Sequence, residues 1–159
     1  MALDLEALPL AAIGGPVYRI VSSCFPPVGL WDRIADPAEF DALAEIESPT
    51  NERLREALGA LARIPHHRRV AGPGTTPIMA AFTHLNPEAS RFSDGTFGVF
   101  YAARAEATAI RETVFHRERF LAATTQPAQQ VTMRCYVSSI LPSLHDIRVG
   151  HDELHDPDP

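Results

Sequence analysis

The stretch RFSDGTFGVFYAARAEATAIRE, residues 91–112, decides how this chain arranges its polar side chains. It begins with an arginine, passes through a glycine-bearing turn and continues as an aromatic run, 97–102. Side chains alternate between two faces in that run, which predicts a strand. An alanine-rich run then predicts a helix over 106–121. These elements place a guanidinium, a phenol and a carboxylate where they can meet at one cleft mouth, on Arg91, Tyr101 and Glu112.

Two further strands are predicted by their residue patterns. Residues 17–21 are a compact run of β-forming side chains, with Arg19 opposite in phase to its neighbours. Residues 131–137 alternate apolar and polar side chains, as in a half-buried strand. The first fifteen residues resemble a short lead-in, and the pattern fades after Pro142.

Helical patterns occupy the region between the first strand and the central stretch. Asp36-Pro37 opens a helix that runs to about residue 46, and Thr50 or Asn51 caps another that ends at Pro65. Residues 77–84 fit a strand or a short helix. The layout is α+β, and we expect a small mixed sheet flanked by helices.

Size and charge narrow the class of protein. A chain of 159 residues suits a single domain over 1–159. Fourteen basic and 20 acidic side chains give a net charge of −6, which argues against a general nucleic-acid binder. Acidic residues stand where a signal peptide needs basic ones, and no apolar run approaches the ~20 residues of a membrane span. We therefore expect a soluble, cytoplasmic protein with no membrane association.

The cysteines and histidines do not predict a metal site. Cys24 and Cys135 lack ligand spacing, and Cys135 is expected to be a buried small apolar side chain. The run from His66 to Arg69 suggests a metal or phosphate site at first, but adjacent histidines do not face a common ion. We interpret it as a solvated basic turn.

Each polar candidate in the central stretch has an ordinary alternative. Arg91 can be a surface residue, or it can bind phosphate through its planar fork. Tyr101 can belong to the core, or its ring can offer a surface on which a ligand stacks while its hydroxyl remains exposed to solvent. Glu112 follows small residues on one helical face, so we expect close packing that leaves its carboxylate partly buried. The alternative is an ordinary exposed helix glutamate.

The order and spacing of these residues resemble the core of the RES domain, the toxin half of RES–Xre toxin–antitoxin pairs. The resemblance covers roughly residues 16–140 and rests on an arginine before a glycine turn, a hydrophobic run closing on tyrosine, and a helix with alanine then glutamate. In this sequence they are Arg91, Gly95, Tyr101, Ala109 and Glu112. Residues 17–20 resemble the family's opening strand, whose arginine, here Arg19, also faces the pocket.

The chain departs from the family pattern at two places. Ala89 and Ser90 replace the two glycines that usually precede the arginine, a variant similar to the branch paired with ParS-like antitoxins (ParT–ParS). The family's serine normally lies in a late strand. Ser138, Ser139 and Ser143 are too near Glu112 in sequence to take that role. We expect that serine, and the C-terminal part of the family domain, beyond residue 159.

The resemblance implies a fold similar to ADP-ribosyltransferases and an enzyme that consumes NAD+ by phosphorolysis or hydrolysis. Glu112 would stabilise the cationic sugar, Arg19 and Arg91 would clamp the pyrophosphate or incoming phosphate, and Tyr101 would bound the nicotinamide. NAD+ would be a substrate and not a cofactor, since no Rossmann glycine fingerprint is present. The implied partner is an Xre-like or ParS-like antitoxin.

Three other functions stay open at this point. The protein could transfer ADP-ribose to a cellular protein, as a mono-ADP-ribosyltransferase does. It could be a non-catalytic module that only binds an antitoxin. The weakest alternative is a histidine-based hydrolase that uses His66, His67 or His116, because no nucleophile motif accompanies them.

Overall fold

The computed structural model describes residues 5–23, 42, 59, 61–86, 90–148 and 150. The chain forms two compact units. The first consists of Met1–Phe25 with Tyr101–His155, and the second of Pro26–Phe100 with Asp156–Pro159.

The first unit contains four strands and a long helix. Strands β1 (Leu10–Ala12) and β4 (Ser143–His145) form one antiparallel pair, and β2 (Pro16–Ser22) and β3 (Met133–Ser139) form another. Helix α2 (Glu106–Ala122) packs against β2. The shorter helix α1 (Thr76–Thr83) precedes it in the chain and belongs to the second unit.

Strand β2 is the centre of the first unit, because it has partners along both of its edges. On one edge it pairs with β3 over its whole length. On the other edge Tyr18 and Ala103 exchange main-chain hydrogen bonds of 2.8 and 2.9 Å. Val17 of β2 and Ala109 of α2 are buried, 3% and 6% exposed. Removing such apolar surface from water is what holds the helix on the strand.

The second unit is organised around helix α1 (Thr76–Thr83). Pro77 lies in its first turn, where a missing N–H costs no hydrogen bond. Met79 and Thr83 are each only 1% exposed, and α1 contacts the 3-10 turn Leu61–Arg63. Gly98 approaches the helix so closely that an added Cβ would lie 2.2 Å from the Ala81 carbonyl oxygen.

The expected α+β class is confirmed. Within the described residues the strands form two small antiparallel sheets rather than one mixed sheet. The strand expected over 17–21, the helix expected over 106–121 and the strand expected over 131–137 are all present. Their bounds are Pro16–Ser22, Glu106–Ala122 and Met133–Ser139. The ambiguous run 77–84 is helical, as most of α1.

The strand expected over 97–102 is absent. The Phe97 carbonyl accepts a hydrogen bond from the Ser93 hydroxyl, and Gly98 packs closely against α1. The next strand-like pairing is an isolated antiparallel bridge between Ala103 and Tyr18. A local side-chain hydrogen bond and the close approach of Gly98 to α1 therefore override the alternating pattern in this run.

Two strands lie where the sequence predicted none. β1 lies in the expected lead-in, and β4 begins at Ser143, where the pattern fades. The two helices expected from Asp36 and from Thr50 or Asn51 lie almost wholly outside the described residues. In the described part of the chain, no helix combines the length and apolar character that a membrane span requires.

Candidate active site

Arg91 lies at the tip of a closed turn in the second unit. Ser90 and Ser93 exchange main-chain hydrogen bonds of 2.7 and 3.1 Å, which leaves Arg91 and Phe92 as the two corner residues. The Arg91 side chain is exposed. No side chain in the described ranges forms an ion pair with it, so its planar fork can bind an anion from solution.

Side-chain hydrogen bonds fix the residues that follow this turn. The buried Ser93 hydroxyl donates to the Phe97 carbonyl at 2.5 Å and accepts from the Gly95 N–H at 3.1 Å. The Asp94 carboxylate accepts from the N–H and the hydroxyl of Thr96, at 3.0 and 2.6 Å. These bonds, the Thr96 hydroxyl first, lower the pKa of Asp94. The loop is thus an ordered support for Arg91.

Arg63 adds a longer-range support to the same loop. Its guanidinium donates to the Thr96 carbonyl at 3.1 Å, joining the loop to the 3-10 turn Leu61–Arg63. Gly95 adopts a φ of 89°, a left-handed conformation that glycine reaches without steric cost. The glycine turn anticipated from the sequence is therefore required by the backbone.

Arg19 and Tyr101 are brought together in the first unit. The half-buried Arg19 guanidinium donates to the Tyr101 carbonyl at 3.0 Å. Burial lowers the pKa of Arg19, although a guanidinium stays charged at neutral pH. The Tyr101 side chain is 40% exposed, so its ring remains accessible beside this cation.

The register of the β2–β3 pair shows which side chains share a face with Arg19. Tyr136 lies directly opposite it, and Arg134 and Ser138 are the diagonal neighbours on β3. The other face carries Cys135, which is half-buried rather than buried. Burial, and to a lesser extent the Glu106 carboxylate, raise the pKa of Cys135.

Glu112 is exposed on α2, and the expectation that it would be partly buried is wrong. The small face of the helix does pack closely, since Ala109 is 6% exposed and α2 contacts β2. Three residues further on, Glu112 is rotated by about 60° from Ala109 around the helix axis. The Glu112 side chain therefore does not lie on the side of α2 that packs against β2, where Ala109 is buried. Among the described residues no donor or cation pairs with its carboxylate.

The sequence candidates are divided between the two units. Arg91 belongs to the second unit, whereas Arg19, Tyr101 and Glu112 belong to the first. Sequence reasoning did not single out Arg134 or Tyr136, which share a face with Arg19. Their period-two spacing in β3 was a usable signal, but the register that brings them to Arg19 comes from strand pairing.

The basic turn is confirmed only in part. His66, His67 and Arg68 form an exposed 3-10 turn, but Arg69 is 7% exposed. Its Nε donates to the Ile64 carbonyl at 2.9 Å, so it holds the preceding turn and is not a solvated cation. His116 is exposed on α2, against the edge of the Phe115 ring. The described residues contain no group of three or more side chains that could hold a metal ion.

Comparison with known proteins identifies a family for this chain. A model of the RES domain matches residues 60–159. The chain is also similar to the uncharacterized protein y4oC of Sinorhizobium fredii (strain NBRC 101917 / NGR234), with 32% identity over 138 residues. That alignment covers 86% of the chain and 59% of the relative, so the chain spans about three fifths of that protein's length. No solved structure matches significantly, and the likeness to ADP-ribosyltransferases stays a prediction.

The matched residues begin at 60 and contain the whole central stretch, whereas Arg19 precedes them. The expected single domain over 1–159 with a core of 16–140 stays a prediction. The family model covers more than half of the chain and includes Arg91, Tyr101 and Glu112, and the chain therefore belongs to the RES-domain family.

Proposed function

We propose that this protein is an NAD+-consuming toxin of a type II toxin–antitoxin system, cleaving the nicotinamide–ribose bond with phosphate or water as acceptor. The main observation in its favour is the half-buried Arg19 guanidinium held against the Tyr101 main chain. This contact holds a cation against the main chain of a tyrosine that is 40% exposed. A dinucleotide requires both, a positive group for its phosphates and a flat surface for a base.

Glu112 supplies the charge that the reaction needs. When the bond from the ribose carbon to nicotinamide breaks, the electron pair leaves with nicotinamide and the sugar carbon becomes cationic. A carboxylate beside the ribose stabilises that positive charge more than it stabilises the ground state. Glu112 is exposed, which is the ordinary alternative for a helix glutamate, so this role rests on the family resemblance and on its place after Ala109.

Arg19 in the first unit and Arg91 in the second are each suited to bind an anionic group of the substrate. Arginine suits this task because its planar fork matches phosphate oxygens and keeps its charge. Arg91 is carried by a turn that the Ser90–Ser93 main-chain hydrogen bonds close, and the Ser93 hydroxyl holds the residues that follow it. An ordered turn lowers the conformational entropy that binding would otherwise cost.

Tyr101 bounds the nicotinamide. Its carbonyl is held by Arg19 while its ring stays 40% exposed, which leaves a face for stacking. No metal ion takes part in this scheme, and NAD+ is consumed as a substrate.

A second candidate is a non-catalytic module that binds an Xre-like or ParS-like antitoxin. One observation favours it: α2 exposes several large apolar side chains, each by 46–59%. They are Ile110, Val114, Phe115 and Phe120. Exposed apolar side chains gathered on one element are a common mark of a protein interface. The same helix carries Glu112, two residues from both Ile110 and Val114 and therefore on the far side of the helix axis from them.

One experiment decides between the two candidates. The purified chain is incubated with NAD+ and inorganic phosphate, nicotinamide release is followed by chromatography, and NAD+ binding is measured by calorimetry. The proposed enzyme releases nicotinamide. A chain that neither binds nor turns over NAD+ would leave only the antitoxin-binding module. Mass spectrometry of the products identifies phosphate, water or a protein as acceptor.

Variants assign the roles within the reaction. Glu112→Gln keeps the size of the side chain but removes its charge, and we expect at least a ~100-fold loss of kcat, as for other charge-stabilising groups. Glu118→Gln, on the same helix and also exposed, is the matched control and should keep full activity. Equal turnover in the two variants would remove Glu112 from the mechanism.

Arg91 is tested through substrate binding. Arg91→Ala should weaken NAD+ binding about 10-fold, because a charged hydrogen bond to phosphate is lost. Arg117→Ala on α2 removes an exposed arginine without touching the turn. Intact affinity in the Arg91 variant would contradict the phosphate-clamp role.

A further inference from the structure

Helix α2 carries an apolar stripe beside the side that packs against β2. Ile110, Val114 and Leu121 follow one another at spacings of four and seven residues. At 3.6 residues per turn they lie within about 40° of one another around the helix axis, and about 100–140° from the buried Ala109. Ile110 and Val114 are 46% and 47% exposed, and Leu121 is half-buried. We name these three residues the α2 stripe, and their spacing is that of a helix packed lengthwise on another helix.

Two opposite charges border the α2 stripe on the flank that is turned away from Ala109. Arg111 and Glu118 are both exposed and seven residues apart, so they project within about 20° of each other. Their separation of about 10 Å along the helix axis prevents a direct ion pair. The residues three and four positions from each of them are uncharged, so neither has a charged partner on its own helix. In the part of the chain that the structure describes, neither side chain forms an ion pair.

A second copy of α2 that runs antiparallel to the first complements both charges. In a two-fold pair of antiparallel helices, each residue lies beside the partner residue that is equally far from the midpoint, and on the same flank. With the midpoint just after Val114, Arg111 of each copy lies beside Glu118 of the other. The same register places Ile110 near Leu121 of the second copy and brings the two Val114 side chains together at the centre. Charged residues that flank an apolar seam in this way set the orientation of paired helices.

We propose that the α2 stripe is a self-association surface, through which two copies of this chain form an antiparallel dimer. The contact is isologous, since one patch on each copy is complementary to itself, as a two-fold dimer requires. A helix face that places opposite charges at equal distances from its centre fits a second copy, because the two ion pairs then form together. This proposal goes beyond the proposed function and does not depend on it.

Arg117 limits the strength of this dimer. It lies between Val114 and Leu121 in the chain, at the edge of the stripe that is nearer to Ala109. Its aliphatic stem can cover apolar side chains while its guanidinium stays in water. A charged residue in such a seam specifies the register at a cost in stability. Each copy contributes only three apolar side chains, so we expect a dimer that dissociates on dilution.

Pairing through the stripe leaves Glu112 uncovered. Glu112 projects from the far side of the helix axis, away from Ile110 and Val114. Assembly of the chain and release of nicotinamide from NAD+ are therefore separate readouts. Failure of the dimer does not touch the proposed reaction, and failure of the reaction does not touch the dimer.

The test measures the mass of the full 159-residue chain by sedimentation equilibrium over a series of concentrations. The mass should rise with concentration from 17.4 kDa toward twice that value. Arg111→Glu and Glu118→Arg each replace the opposite pairs with like charges, and each should weaken the dimer about 10-fold or more. The double variant with both changes restores opposite charges and should recover most of the affinity. Arg119→Glu reverses an exposed charge on the far side of α2 and should dimerise as the wild type does.

Val114→Ser tests the apolar part of the contact. Because Val114 is 47% exposed in the single chain, this variant should unfold at the wild-type temperature but dimerise about 10-fold more weakly. A chain that stays at 17.4 kDa at every concentration overturns the proposal and leaves the stripe to another partner, such as an antitoxin. A dimer that neither Val114→Ser nor the charge reversals weaken forms through another surface, which also overturns it. If the double variant dimerises no better than the single ones, the antiparallel pairing is wrong.

Discussion

Several buried polar side chains in this protein are stabilised by main-chain carbonyls. The Arg69 Nε donates to Ile64, the Thr83 hydroxyl to Met79 at 3.2 Å and the Ser93 hydroxyl to Phe97. Removing the Arg69 or Ser93 donor would take a hydrogen bond from its carbonyl acceptor, which costs about 1–3 kcal/mol when the group is buried. Arg69, which was interpreted as part of a solvated basic turn, and Ser93 are thus structural supports.

Asp146 and Arg148 form a local ion pair whose effect is measurable. The Arg148 guanidinium donates to both carboxylate oxygens, at 2.8 and 2.5 Å, and these hydrogen bonds lower the pKa of Asp146 to about 2. Because the folded pKa is below the unfolded value of about 3.9, the pair favours folding at neutral pH. That contribution is lost as the pH falls from about 4 to about 2.

Arg148→Gln should therefore raise the pKa of Asp146 toward about 3.9. Carboxyl-carbon NMR titration measures this directly. Asp94 serves as an internal control, since its pKa is lowered by Thr96 and should not respond to the substitution. An Asp146 pKa that stays near its wild-type value in the variant would show that another group is responsible.

The elements differ in how far their own residues determine them. β2 and α2 carry strong local patterns, and both form where the sequence predicts them. Residues 97–102 carry a strand pattern of similar strength, yet they are not a strand. A serine hydroxyl and the close approach of Gly98 to α1 outweigh it, and neither contact is visible in local periodicity.

Gly98→Ala tests this close approach. The new Cβ would lie 2.2 Å from the Ala81 carbonyl oxygen and 2.6 Å from the Phe82 Cα, so backbone must shift. Overpacking of this kind should lower the free energy of unfolding by about 1–3 kcal/mol in a urea titration. Gly14→Ala is the control, since no atom lies within 4 Å of its added Cβ. Equal stability of the two variants would rule out a tight contact at Gly98.

At the scale of the whole molecule, pairing between distant residues organises the first unit. Leu10 pairs with His145 in the β1–β4 sheet, and Pro16 pairs with Ser139 in the β2–β3 sheet. The Asp146 N–H also donates to the Pro9 carbonyl at 2.8 Å. Closing such long loops costs conformational entropy, which buried apolar contacts must offset.

Leu8→Ala tests that coupling. Leu8 is 7% exposed, and its loss should lower the free energy of unfolding by about 2–5 kcal/mol. Because β1 follows it closely in the chain, amide hydrogen exchange should accelerate in β4 as well as around Leu8. Leu141→Ala, at a side chain that is 92% exposed, should change neither measurement. If protection in β4 is retained in the Leu8 variant, β1 and β4 do not form a cooperative unit.

The sequence by itself determined the family, the α+β class and the positions of β2, β3 and α2, because these follow from local periodicity and from the order of a few polar residues. It also singled out Arg19, Arg91, Tyr101 and Glu112 as candidates. Only the tertiary structure decided that Arg19 binds the Tyr101 main chain, that Glu112 is exposed and that Arg134 shares a sheet face with Arg19. Strand register and helix rotation depend on contacts between residues far apart in the chain, and a local pattern contains no information about them.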